Sequence, residues 1–322
     1  MSDRFYYGGQ AVLEGVMMRG RTGYAVATRS SSCGIQVSRH PGEPWVRRAR
    51  PLGWPMVRGV VAMAEALVIG YRALNASAER LLAEEGGSGS SPSDKASVSV
   101  KLMEAASLVL GIALAVGLFV LLPAAAVRWL QPHVSSALAL NLAEGAIKAG
   151  LFVAYVWAIG FLPDMARVFA YHGAEHKAIN CYEAGWPLDL AHVRRASRIH
   201  PRCGTNFLFL VVLVSVVVFS VVTGFTGHPT LLERVAVHLL ILPLVAGAAY
   251  ELIRAAGSPA APRWVRGLAK PGMWLQQLTT REPDDAQVEV AIAALEAVLE
   301  HDGVSPGRAG SEQTAGQLAV VG

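Results

Sequence analysis

The chain has 322 residues, 53% hydrophobic and only 16% charged, with a mean hydropathy of +0.39, which is too apolar for a soluble domain of this length. Its net charge of +4 and pI near 9.1 come without a basic block interleaved with aromatics, so no nucleic-acid partner is expected. Cys33, Cys181 and Cys203 show no CxxC spacing, which argues against a disulfide framework and for reduced thiols.

In chain order, Met1 opens on polar, Gly-rich sequence with no apolar core and cleavage signal, so internal spans are expected to direct insertion. Residues 1–56 form a Gly-rich cytosolic segment in which Gly8-Gly9, Gly15, Gly20 and Gly34 punctuate short runs such as Gln10-Ala11-Val12-Leu13, a pattern of strands and turns. Val57 to Leu74 is apolar but cut by Arg58, Glu65 and Arg72, which predicts an interfacial or re-entrant helix over 57–83. The run EEGGSGSSPS from Glu84 opens a flexible linker assigned to 84–104.

A membrane domain is predicted at 105–254, with four runs long enough to cross: Ala105 to Val127, about Gly145 to Pro163, Phe207 to Phe225, and Val235 to about Ile253. Pro123 and Pro243 interrupt the first and last, and Lys148 is close enough to one end of the second to snorkel. Residues 255–302 form a cytosolic segment whose Val288, Ile292, Leu295 and Leu299 predict an amphipathic helix, and 303–322 read as a disordered tail. Thirteen Lys and Arg precede the first run, six lie in the 164–206 loop and six follow the fourth, against Arg128 and Arg234 alone in the other two connections. The positive-inside rule then puts both termini and the central loop in the cytosol. The expected fold is mainly α: a polytopic helical membrane protein of the cytoplasmic membrane, with about four transmembrane helices. A small mixed α/β cytosolic portion comes from the amino-terminal segment, and the lipid bilayer is the first partner.

Within the central loop, His172-Gly173-Ala174-Glu175-His176 places two imidazoles four residues apart, on one helix face, with a carboxylate beside them. Both can hold one divalent metal, zinc by donor type, while Glu175 takes a proton from water, the logic of the inverted zincin motif H-x-x-E-H. An ordinary hydrogen-bonded pair of histidines is the plain alternative, and Gly173 weakens the helix by about 1 kcal/mol relative to Ala, so tertiary support is needed. The same loop carries His200-Pro201-Arg202-Cys203-Gly204-Thr205. His200 and Cys203 are suited as third and fourth ligands and Arg202 as an anion-binding catalytic group, although Cys203 also suits burial and Arg202 the cytosolic charge set. Glu251 could serve as a distant ligand or pair with Arg254, and His238 suits an interhelical hydrogen bond.

The segments GGQAVLEGVMMRG from Gly8, YHGAEHKAI from Tyr171, HPRCGTNF from His200 and TTREPDD from Thr279 resemble the YqhQ family, a bacterial set with a domain of unknown function, described as metal-dependent membrane enzymes. The resemblance spans roughly residues 6 to 300. It implies an integral membrane protein and a metal role for His172, Glu175, His176, His200 and Cys203, and names no substrate. Three functions follow as expectations. The first is a cytosol-facing zinc hydrolase with a substrate or protein partner at the membrane surface. The second is a non-enzymatic scaffold or assembly factor with a closed His/His/His/Cys site. The third, a transporter, is weakened by the absence of repeats and the scarcity of charge in the spans.

Overall fold

The structure, a computed structural model, describes residues 6–30, 34–85, 94–226, 230–258 and 261–304. Alternating small and apolar residues in the amino-terminal segment build four strands, β1 Gly8–Val12, β2 Gly15–Arg19, β3 Gly23–Ser30 and β4 Gly34–Pro41, paired antiparallel in sequence order. Val12 pairs with Gly15 across the tight Leu13-Glu14 connection, and Glu14 adopts φ +50°, a conformation that costs an ordinary residue about 1 kcal/mol. Because side chains alternate across a strand, the sheet has two working faces. One carries Val12, Met17 and Val26 against Ala73. The other carries Val16, Met18, Ala25 and Ala27 into the larger core.

A short helix α1, Trp45–Arg48, leads into α2, Val57–Glu85, which covers the segment predicted to be interfacial or re-entrant. The first turns of α2 pack on the fourth apolar helix, where Gly59 meets Tyr250, and its later turns cover the sheet through Ala73 and the Arg80 bond to Thr28. Arg58, Glu65 and Arg72 thus belong to a helix bridging two parts of the protein. Arg58 pairs with Glu251 and Glu65 with Arg19.

Among the described residues, four helices are long and apolar enough to cross a membrane: Ala105–Leu130, Leu138–Ile159, Gly204–Val222 and Val235–Ala256. The first comprises α3, Asp94–Val116, a π turn at Gly117–Leu121 and α4, Leu122–Leu130. The π turn ends two residues before Pro123, whose ring nitrogen cannot donate to the carbonyl four residues back. Residues 94–104, assigned to the linker from sequence, are already helical; the linker stretch 86–93 and the tail from 305 lie outside the described residues. The second, α5 Ala137–Ile159, begins before the uncharged run, capped by Ser136, and carries Glu144 and Lys148 within it. Lys148 lies 2.8 Å from Glu144, so the snorkelling assignment gives way to an ion pair, and His238 on α9, Leu231–Ala256, reaches Glu144 at 2.6 Å across the helix interface. Leu108, Leu110, Leu114 and Leu240 on these helices stand exposed.

Between the second and third apolar helices come α6, Pro163–Glu183, and α7, Leu190–Arg195; α8 spans Gly204–Thr226. After α9, α10 Arg263–Thr279 lies against α8, with Gly272 against Asn206. Helix α11, Asp285–His301, starts with an Asp284/Gln287 capping box and buries Val288, Leu295 and Leu299 against the sheet and α6. The amino-terminal sheet, the central loop and the carboxy-terminal helix therefore share one core.

Candidate metal centre

Pro163 at the first helical position and Asp164 in the first turn favour the start of α6, and its Gly173–Ile179 run is wholly buried. His172 and His176 sit on successive turns of it with ring centroids 4.4 Å apart. Two extended segments are laid along this helix. On one side Lys177 Nζ donates to the carbonyls of Arg194 (2.8 Å) and Ala196 (3.1 Å), and Asn180 Nδ2 to those of Ser197 (2.7 Å) and Ile199 (3.0 Å). That strap delivers the Arg198 carbonyl to 2.7 Å from His176 Nδ1. On the other side Arg281 N donates to the Phe169 carbonyl at 2.8 Å, and the Thr279 carbonyl lies 2.9 Å from His172 Nδ1. Gly173 permits this approach, since a Cβ there would collide with the Arg281 carbonyl oxygen.

A carbonyl can only accept, so each Nδ1 carries the proton, and in the neutral form of such a ring Nε2 is the nitrogen left to bind a metal. Backbone anchoring of this kind orients histidine ligands in metal sites. Cys203 arrives from the HPRCG turn. Gln276, fully buried, grips both backbone groups of His200 at 2.8 Å, and the Asn206 amide donates to the Pro201 carbonyl at 2.9 Å. The turn sets Cys203 Sγ 3.3 Å from His172 Nε2, and one ligand atom each from His172, His176 and Cys203 falls within 4.8 Å of the others. Two imidazole nitrogens and a thiol form a donor set that zinc accepts.

Glu175, 4% exposed, points to the same place, its Oε2 4.0 Å from His172 Nε2. Burial pushes its pKa up to about 7, against the opposing influences of His172 and of a hydrogen bond from the Gly9 backbone. This gives the GGQAVLEGVMMRG segment physical content. Gly9 lies so close that a Cβ would be 3.2 Å from Glu175 Cγ, Gln10 rests on Gly70, Glu14 pairs with Arg167, and Arg19 pairs with Glu65.

The other residues singled out from sequence lie apart from the trio. His200 is buried, and its ring is 5.6 Å from that of His176. Its Nε2 lies 3.6 Å from Glu183, beyond hydrogen-bond length, and burial pushes its pKa down. Arg202 forms an ion pair with Glu183 and stacks over Tyr6 at 4.3 Å, so it is committed within the turn. Glu251 takes Arg58 rather than Arg254 as its partner, with Nε to Oε1 at 2.7 Å. Cys181 is buried, 3.3 Å from the Pro187 carbonyl, and Cys33 lies outside the described residues. Sequence reasoning did not find Gly9, Gln276, Thr279 or the Arg198 carbonyl as parts of the site. Only the TTREPDD and GGQ segments signalled their neighbourhood.

Residues 54–301 match the model of a family described as a protein of unknown function (DUF1385). The chain is 32% identical over 311 residues to the uncharacterized protein YqhQ of Bacillus subtilis (strain 168), covering 93% of this chain and 94% of that protein. No solved structure matches. With the histidine helix, the cysteine turn and the 279–281 segment all inside the matched region, the chain belongs to the DUF1385 family, to which YqhQ is its full-length relative.

Proposed function

We propose that the chain is a multi-pass protein of the cytoplasmic membrane whose α/β body faces the cytosol, and that His172, His176 and Cys203 hold zinc in a hydrolase site served by Glu175. The membrane reading is supported by the four long apolar helices with exposed leucines, and its orientation by the Lys and Arg excess in the segments that share the body's core. A carboxy-terminal fluorescent reporter, bright only in the cytosol, tests that orientation.

One observation carries the metal reading: both imidazoles are fixed through Nδ1 on backbone carbonyls, with ligand atoms converging on Cys203 Sγ. Three protein ligands leave one position open, the pattern of catalytic rather than structural zinc. Zinc there supplies Lewis acidity and acidifies water at neutral pH. Glu175 takes the proton from the attacking water and returns it to the leaving group, and its burial keeps bulk water from competing.

The test is metal analysis of purified wild type, His172→Ala, Cys203→Ser and Glu175→Gln, with complementation of a deletion strain. One zinc per chain in wild type and Glu175→Gln, lost in the two ligand variants, with complementation lost in all three, supports the hydrolase. Absence of stoichiometric metal from wild type sinks it. The scaffold reading is favoured by one feature, the buried His200 Nε2 that lacks a hydrogen bond and could turn to close the site. In that case His200→Ala loses zinc and Glu175→Gln complements fully; the hydrolase keeps zinc in His200→Ala.

A further inference from the structure

At the α6-facing end of α5 a cavity of about 350 Å³ opens, a size suited to a small ligand or a headgroup. Its walls differ in chemistry. Val156, Trp157, Phe161 and Leu278 form an apolar side, and Arg198 and Arg281 a cationic one. Trp157 and Phe161 are 60% and 67% exposed and packed edge to face at 4.9 Å, just where the candidate span Leu138–Ile159 ends. Aromatic residues at that level suit the boundary between hydrocarbon and headgroups.

The two arginines are held but not neutralised. Arg198 donates to the Thr280 carbonyl and Arg281 to the Gly160 carbonyl. Neither forms an ion pair among the described residues, so most of their five N–H donors each remain for an anion. Glu282, the acidic group on the rim, is 2.7 Å from Lys177 and already paired.

The same backbone also walls the metal centre. The Arg198 carbonyl anchors His176, the Thr279 carbonyl anchors His172, and the Arg281 carbonyl covers Gly173. The two segments that present the guanidinium groups are therefore the two that anchor the histidines.

We propose that this cavity binds the anionic headgroup of a membrane amphiphile, with the apolar part lying along Trp157 and Phe161 toward the bilayer. As a statement of substrate class this rests on the hydrolase reading; as a binding site it does not.

The experiment is native mass spectrometry of the full chain with phosphatidylglycerol or phosphatidylcholine of identical acyl chains. Wild type should retain phosphatidylglycerol at least tenfold better, Arg198→Gln/Arg281→Gln should lose that preference, and Arg198→Lys/Arg281→Lys should keep most of it, separating lost charge from lost fold. Trp157→Ser should weaken phosphatidylglycerol retention severalfold. Equal retention of the two lipids by wild type, or an undiminished preference in a folded glutamine variant, overturns the proposal. So does displacement by millimolar inorganic phosphate as readily as by short-chain phosphatidylglycerol, which would make the ligand a soluble anion. EDTA-treated wild type should keep the preference; if it does and no zinc is found before treatment, the hydrolase reading fails and the binding site stands.

Discussion

Two of the buried polar clusters among the described residues are built differently. Between the apolar helices, Glu144 is met by Lys148 on its own helix and His238 on α9, side chain to side chain, each charge answered within the cluster. In the α/β body, His172 and His176 are each met at Nδ1 by a backbone carbonyl, and His172 Nε2 faces Cys203 Sγ at 3.3 Å. The first arrangement is closed and explains itself as helix-to-helix adhesion. The second gathers one potential ligand atom from each of His172, His176 and Cys203 within 4.8 Å of the others, and stabilisation alone gives no reason for it.

The sharpest way to break the second arrangement is through its backbone. Gly173→Ala drives a methyl into the Arg281 carbonyl, which must move and take the Thr279 anchor with it. A loss of about 4 kcal/mol or more, or failure to fold, is expected in thermal melts. Gly150→Ala on α5, with open space around it, should be neutral or stabilising by about 0.5–1 kcal/mol. Similar melts for the two variants would mean that Gly173 is not a close-approach site.

Glu144→Gln probes the first arrangement and should cost about 3–5 kcal/mol, because it strands Lys148 in an apolar setting. Adding Lys148→Met should recover much of that loss. A double variant no more stable than the single one would show that the cluster is not an ion-pair knot.

Metal removal separates the two regions. In EDTA-treated protein His172→Ala should cost only about 1 kcal/mol, the worth of its bond to Thr279. With zinc present at 100 times its Kd, wild type should gain about 2.7 kcal/mol that the variant lacks. Cys203 should be alkylated by iodoacetamide only after zinc is removed. Equal labelling with and without zinc would remove Cys203 from the ligand set.

The same contrast explains what could be read in advance. Uncharged runs reveal apolar helices, but the start of α5 was hidden because Glu144 looks like a boundary until Lys148 and His238 are seen beside it. His172 and His176 declare themselves by helical spacing, and Cys203 by sharing their loop. His200 was grouped with them on chemistry alone, yet Gln276 grips its backbone and its ring turns toward Glu183. Arg202 resembled an anion binder until Glu183 claimed it. The carbonyls of Arg198 and Thr279 were invisible for a simpler reason: every residue has one, and only the fold decides which reaches a histidine.

The smallest effect concerns the hairpin that carries Gly9 to Glu175. Glu14 holds φ +50° while its carboxylate pairs with Arg167 and lies 3.3 Å from the Tyr171 hydroxyl. Replacing it removes those contacts whatever the new residue is, so their worth cancels between Glu14→Ala and Glu14→Gly. What remains is the backbone: alanine keeps the left-handed penalty and glycine does not. Glycine's greater freedom in the unfolded chain offsets part of the gain. Glu14→Gly should therefore melt as the more stable of the two by somewhat under about 1 kcal/mol. Should alanine equal or exceed glycine, the connection relaxes out of the left-handed region once the Arg167 pair is gone, and that pair is what holds the hairpin against α6.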